Sequence, residues 1–245
     1  MNLEEVKEKF PESANEIEAL ESLGFASRSA DWIDSLNLEK AQIACWLVGR
    51  VGNDQDGDVL VNILLGQRSE LWMQAATSLN MIGTEKHVTP LLSLLANRAE
   101  IEQQVSAVYA LSSIAIKCQE NCAVEVQSKL VEVAANPTLA ASVRGTALES
   151  LTGISREICP DLYQRAVAVV LQALDDSEAE VRFWACFAVA GLKIREALNK
   201  LQVLVQTDRA IVPGWWSVSE EAEDAIAWLN GGDPPLRRPR NSSTT

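Results

Sequence analysis

Six times along this chain an alanine is followed four and seven residues later by apolar side chains: Ala44–Val48–Val51, Ala75–Leu79–Ile82, Ala107–Leu111–Ile114, Ala147–Leu151–Ile154, Ala185–Val189–Leu192 and Ala222–Ile226–Leu229. The anchoring alanines stand 31, 32, 40, 38 and 37 residues apart. Offsets of 0, +4 and +7 fall on one narrow helical stripe. A small side chain at 0 lets a partner helix approach closely, and the larger ones fill the layer between. Helical patterning repeated at a period of about 30–47 residues predicts an all-α solenoid, here of about six helix pairs, each packed on its neighbours without a central core.

The 12 glycines and 8 prolines are too few, and β-branched alternations too rare, for an all-β chain. A formal net charge of −13 argues against a nucleic-acid binder, which needs a basic stripe to displace counterions, and disfavours anionic membrane surfaces. Residues 1–40 hold ten acidic against four basic side chains, which suits solubility or a basic partner. Met1-Asn2-Leu3-Glu4-Glu5 lacks the basic and apolar regions of a secretory signal, and apolar runs such as 166–171 are far shorter than a membrane span. Cys45, Cys118, Cys122, Cys159 and Cys186 are scattered and odd in number, as expected of reduced thiols in a cytoplasmic protein.

The expected layout is an acidic N-terminal helical cap over 1–37, with helices at 12–23 and 30–36, then the repeat array over 38–232. Each anchor helix alternates with a second amphipathic helix, at 59–65, 88–95, 124–134, 162–174 and 197–205. Gly52-Asn53-Asp54, Gly83-Thr84, Asn136-Pro137 and Asp175-Asp176-Ser177 mark turns. Ser217-Val218-Ser219-Glu220 opens the last anchor helix as a capping box, and Gly231-Gly232 closes it. Residues 233–245, with Arg237, Arg238 and Arg240, have no periodicity and read as a disordered basic tail.

Leu171-Gln172-Ala173-Leu174-Asp175-Asp176-Ser177-Glu178-Ala179-Glu180-Val181-Arg182-Phe183-Trp184-Ala185 resembles the HEAT repeat, in the short bacterial form of phycobilisome-lyase-like proteins. Val143-Arg144 stands in the same register before Ala147, and Gly83 to Leu92 is similar to the family's Gly–Pro–Leu-Leu turn. The resemblance implies a ladder between neighbouring units through Arg144, Asp176 and Arg182. It also implies an incomplete ladder in the first three units, where Lys40-Ala41, Leu71-Trp72 and Gln103-Gln104 replace Val-Arg. It covers roughly 38–230 and is specific for fold rather than function.

Catalytic and metal constellations are sparse. His87, the one histidine, has no nucleophile near it in sequence. Cys118 and Cys122 are one helical turn apart but lack the further ligands of a zinc site. Asp54, Asp56 and Asp58 begin like a calcium loop, yet the twelfth position is Leu65 where a bidentate Glu is required. No Gly-rich phosphate loop follows a strand. No metal or other cofactor is therefore expected.

The candidate binding residues lie two positions before or after the anchors, facing away from the core stripe: Trp46, Met73, Tyr109, Phe183 and Phe187. Solvated helix faces are not normally furnished with such side chains, whereas aromatics and Met are enriched at protein interfaces. Trp215 and Trp216, in a Pro-Gly loop, form a second candidate, with one expected to pack on the last helix near Trp228. The leading reading is a non-catalytic adaptor or regulator that holds a protein segment on a concave face of inner helices. The resemblance leaves a bilin lyase-like factor acting on a phycobiliprotein as the alternative. A HEAT-type DNA glycosylase, a third reading, is disfavoured by the acidic charge.

Overall fold

Local capping rules set where the helices begin. In a computed structural model, which describes residues 2–25, 28–96 and 99–239, Asn2, Ser29, Asn37, Asn53 and Ser217 each accept a backbone N–H from the first turn of the helix they precede. Those helices are α1 (Leu3–Lys9), α3 (Ala30–Ser35), α4 (Leu38–Val51), α5 (Asp54–Leu65) and α14 (Val218–Leu229). Reciprocal capping boxes form at Asn2–Glu5, Asn53–Asp56 and Ser217–Glu220. The acidic run at 54–58 thus begins a helix. The other helices are α2 (Ala14–Ser22), α6 (Trp72–Ile82), α7 (Val88–Ala96), α8 (Ile101–Ala115), α9 (Glu120–Ala135), α10 (Ala141–Ser150), α11 (Pro160–Ala173), α12 (Ala179–Gly191) and α13 (Leu198–Thr207). β pairing among the described residues is confined to an isolated bridge, Ile211 to Ser217.

The chain divides into two compact units, residues 1–126 and 127–245, with the division inside α9. In the first, α1, α2 and α3 pack against α4; α4, α6 and α8 follow one another, with α5 on α6 and α7 on α8. In the second, α10, α12 and α14 succeed one another, with α11 on α12 and α13 on α14. The six anchors are therefore the alternate helices of an all-α helical repeat, and all six alanines are fully buried. Within each unit, a small residue at this position allows one anchor helix to lie on the next.

His87 belongs to this framework. It is 1% exposed; its Nδ1 accepts the Thr84 N–H at 2.9 Å, which leaves Nε2–H to donate to the Asp54 carbonyl at 3.1 Å. Burial lowers its pKa, although Asp58 opposes the shift. The ring stays neutral and clamps the start of α5 to the turn before α7. No helix among the described residues is long and apolar enough to cross a membrane.

Candidate functional site

A tight turn builds one wall of the site. Val212-Pro213-Gly214-Trp215 has proline second and glycine third with φ +81°, and the Trp215 N–H donates to the Val212 carbonyl at 2.9 Å. This is a type II turn, whose third position favours glycine. It folds Trp215 and Trp216 back onto α12. Ring centroids lie 5.2 Å apart for Trp184–Trp215, 5.3 Å for Phe183–Trp184, 5.7 Å for Trp184–Phe187 and 5.5 Å for Trp215–Trp216, each pair close to edge-on. Such pairs add about 0.5–1.5 kcal/mol each beyond the area they bury.

Behind the cluster, Gly145 on α10 makes room for Trp184: a Cβ there would fall 2.5 Å from Trp184 Cδ1. Gly145→Ala should therefore cost about 1–3 kcal/mol through overpacking, despite the better helix propensity of alanine, and should alter the near-UV circular dichroism of the indoles. A variant that melts above the wild type with unchanged aromatic signal would contradict this packing.

The cluster opens onto a cleft of about 950 Å³. Phe183 is only 1% exposed, whereas Phe187, Trp215 and Trp228 are 39, 38 and 56% exposed. Carboxylates of Glu149, Glu221 and Asp224 also line it, as do the cations Lys193 and Arg195. Trp216 Nε1–H donates to Glu221 Oε2 at 2.8 Å. Burial pushes the Glu221 carboxyl up to about 7; the Trp216 bond and Arg237 oppose the rise, and Asp224 adds to it. Burial also raises the Glu149 carboxyl. No serine, cysteine or histidine among the described residues lines the cleft.

The chain beyond α14 completes the rim. Sequence periodicity leaves 233–245 unpacked; over 233–239 the structure instead lays Pro234, Pro235 and Leu236 along the cleft and buries Arg237 to 11% side-chain exposure. Its guanidinium meets Asp224 twice at 2.7 Å, Glu223 at 3.0 Å and Glu220 at 3.3 Å. Hydrogen bonding to Asp224 raises its pKa further. Arg240 and residues 241–245 lie outside the described residues.

The ladder residues also lie in the second unit. Arg144 pairs with Asp176, and its Nε donates to the Leu139 carbonyl at 3.2 Å. Arg182 pairs with Asp208 at 2.7 Å and donates to the Asp176 and Ser177 carbonyls at 2.7 and 2.9 Å. Each arginine sits three residues before its anchor alanine, closes the turn before its own helix and reaches forward to the next. Each aspartate also accepts the backbone N–H two residues on. Burial works against the Asp176 carboxylate, but Arg144 and the Glu178 amide outweigh it and hold its pKa below the usual range. Asp208 was not legible in sequence, because Asp208-Arg209-Ala210 does not resemble the turn at 175–178.

The remaining candidates belong to the first unit. Trp46 is half-buried, edge-on to Phe10 at 5.0 Å and beneath Arg50. Met73 is 46% exposed. The Tyr109 hydroxyl accepts from Asn80 Nδ2 at 3.1 Å. Phe183 corrects the sequence reading of an outward stripe: it is core, because the 208–219 loop closes over it. Trp184, Glu221 and Arg237 were missed as site residues. The cysteine pair gains a neighbour, since the Glu85 carboxylate lies within 4.8 Å of the Cys118 and Cys122 sulfurs. Burial and the hydrogen bond from Cys122 push the Cys118 thiol up to about 12, which keeps it protonated and a poor nucleophile.

No family model and no curated protein matches this chain. Among solved structures, an engineered protein is similar at 19% identity and a TM-score of 0.50, over 85% of this chain and 99% of that one. The fold is an α-helical repeat. A designed armadillo repeat protein in complex with the peptide (KR)4 is 19% identical over 82% of this chain and 98% of its own, with a TM-score of 0.48. A computationally designed armadillo repeat protein for modular peptide recognition is 20% identical over 83% and 98%, with a TM-score of 0.46.

Proposed function

We propose that this chain is a non-catalytic module that holds a segment of a protein partner on the inner-helix face of its second unit. The observation that carries the reading is the aromatic cleft. Exposed Phe187, Trp215 and Trp228 stand over a buried base of Phe183 and Trp184, with the buried carboxylates of Glu221 and Asp224 in the same lining. Rigid aromatic anchors with a polar rim are the arrangement that concentrates binding energy at protein interfaces, and the rim sets Glu149, Glu221 and Asp224 beside Lys193, Arg195 and Arg237, so its lining is of mixed charge. The Glu221 carboxyl, pushed up to about 7, is an available acid or base, but beside it, among the described residues, the cleft offers only Thr152 and Lys193 and no serine, cysteine or histidine, so the cleft favours binding over turnover. Trp46, Met73 and Tyr109 are a separate candidate surface on the first unit. An intracellular setting is part of the proposal and rests on the unpaired thiols.

Selection of peptides from a displayed random library on the wild-type protein provides the test. Enriched peptides should bind a folded Phe187→Ala/Trp215→Ala variant at least about tenfold more weakly, a loss of about 1.4 kcal/mol. Equal binding to both proteins would remove the cleft as the site. A bilin that, added to the purified protein, binds with a shifted visible spectrum would favour the lyase-like alternative instead.

A further inference from the structure

The face of α14 that receives Arg237 has an unusual charge pattern. Glu220, Glu223 and Asp224 occupy i, i+3 and i+4, so three carboxylates share one side of one turn. Like charges at that spacing repel, and Asp224 is only 6% exposed. A buried carboxylate with no counter-charge is strongly unfavourable. This face therefore requires a cation, and Arg237 supplies it. The geometry selects arginine: Nε and Nη2 meet the two Asp224 oxygens at 2.7 Å each, a parallel fork that lysine cannot form.

The segment bearing that arginine is otherwise loosely attached. Leu236 and Arg238, on either side, are exposed, Leu236 completely. Pro234 and Pro235 have no N–H to donate, and among the described residues no backbone–backbone hydrogen bond joins 233–239 to α14. Two consecutive prolines bias the segment towards an extended form, at a low entropic cost of docking. One side chain in a charged seat, followed along the cleft by two prolines, is a ligand's mode of attachment more than a core element's.

We infer that the Glu220–Glu223–Asp224 face of α14 is an arginine-recognition site for an extended, proline-bearing segment of a partner protein, and that residues 233–239 occupy it as an internal substitute. The inference rests on the proposed role of the adjoining cleft and specifies the partner's chemistry. A partner that displaces the segment must bring its own guanidinium, because leaving Asp224 unpaired would oppose the exchange. Its flanking residues would then run beside Phe187, Trp215 and Trp228. The chain's own tail sets the threshold: weak arginine ligands are excluded and only segments with further contacts to the aromatic wall compete.

The test uses the full chain and a fluorescein-labelled peptide with the sequence of residues 232–239, followed by anisotropy. Arg237→Ala empties the seat, so it should bind the peptide at least about tenfold more tightly than the wild type does. A peptide with lysine in place of its first arginine should lose that gain, as should the Arg237→Ala/Asp224→Asn protein. Arg237→Lys keeps a charge beside Asp224 and guards against loss of folding; it should retain wild-type helicity and take up the arginine peptide to an intermediate degree. Equal peptide affinity for wild type, Arg237→Lys and a helical Arg237→Ala would overturn the inference, as would equal binding of the lysine peptide. Wild-type dimers that Arg237→Ala abolishes would assign the seat to a second copy's tail and overturn the partner assignment. Library peptides that need Phe187 and Trp215 but contain no arginine would also overturn it while leaving the cleft reading intact. Conversely, uptake of the tail peptide unaffected by Phe187→Ala/Trp215→Ala would sustain the seat and refute the cleft.

Discussion

Replacing Arg144 by alanine is expected to destabilise the second unit by about 3 kcal/mol, since removing one partner of a buried ion pair leaves the other charge uncompensated. Asp176 is the residue left exposed to that penalty, with a side chain 20% accessible against 8% for Arg144, which places the cost at the lower end of the usual range. The variant also loses the closure of the turn at Leu139. Its pH dependence follows from the depressed Asp176 pKa. A carboxylate held below its unfolded value contributes stability above the unfolded pKa of about 4, and that contribution is lost as pH falls through the folded value. Urea unfolding should therefore show the full deficit at pH 7 and pH 5 and a smaller one below pH 4. A deficit independent of pH would mean that packing of the Arg144 stem, not its charge, supports the repeat.

Glu221→Gln should act in the opposite direction, raising stability above neutral pH. The Glu221 carboxyl is pushed up to about 7, chiefly by burial, so the folded state binds a proton that the unfolded chain releases near pH 4.5. Stability then falls as pH rises from about 4.5 to 7, and the penalty is complete above 7. At about 1.4 kcal/mol per pH unit the penalty is on the order of 3 kcal/mol. Glutamine remains neutral and keeps an oxygen to accept the Trp216 indole N–H. At pH 8 the variant should melt several degrees above the wild type, and at pH 5 the two should converge. A wild type whose melting temperature is flat between pH 5 and 8 would show that solvent reaches this carboxylate.

The repeat architecture was legible because it is written at a fixed offset. Ala44, Ala75, Ala107, Ala147, Ala185 and Ala222 are all fully buried, and a 0/+4/+7 stripe reports burial without knowledge of the partner helix. The HEAT-like wording at 171–185 similarly pointed to Asp176 and Arg182, and Val143-Arg144 in the same register pointed to Arg144. The site was less legible because it depends on what lies across from each helix. Phe183 sits at an outward offset, yet the type II turn at 212–215 covers it. Glu221 stands one residue before an anchor among other acids, with nothing in the sequence to separate it from solvated neighbours. Arg237 lacks periodicity altogether, and its significance arises only when Glu220, Glu223 and Asp224 meet it. α1 was missed for a related reason: its Asn2–Glu5 capping box begins a helix too short to show a period.

The central claim is that the second unit's aromatic cleft receives a protein segment, and the seven tryptophans of this chain give a direct reading of it. Trp184, Trp215, Trp216 and Trp228 line the cleft, whereas Trp32, Trp46 and Trp72 belong to the first unit. In a titration of ¹⁵N-indole-labelled protein with a library-selected peptide, the Nε1–H resonances of the four cleft tryptophans should move and those of the other three should remain in place. Movement confined to Trp32, Trp46 or Trp72 would contradict the account.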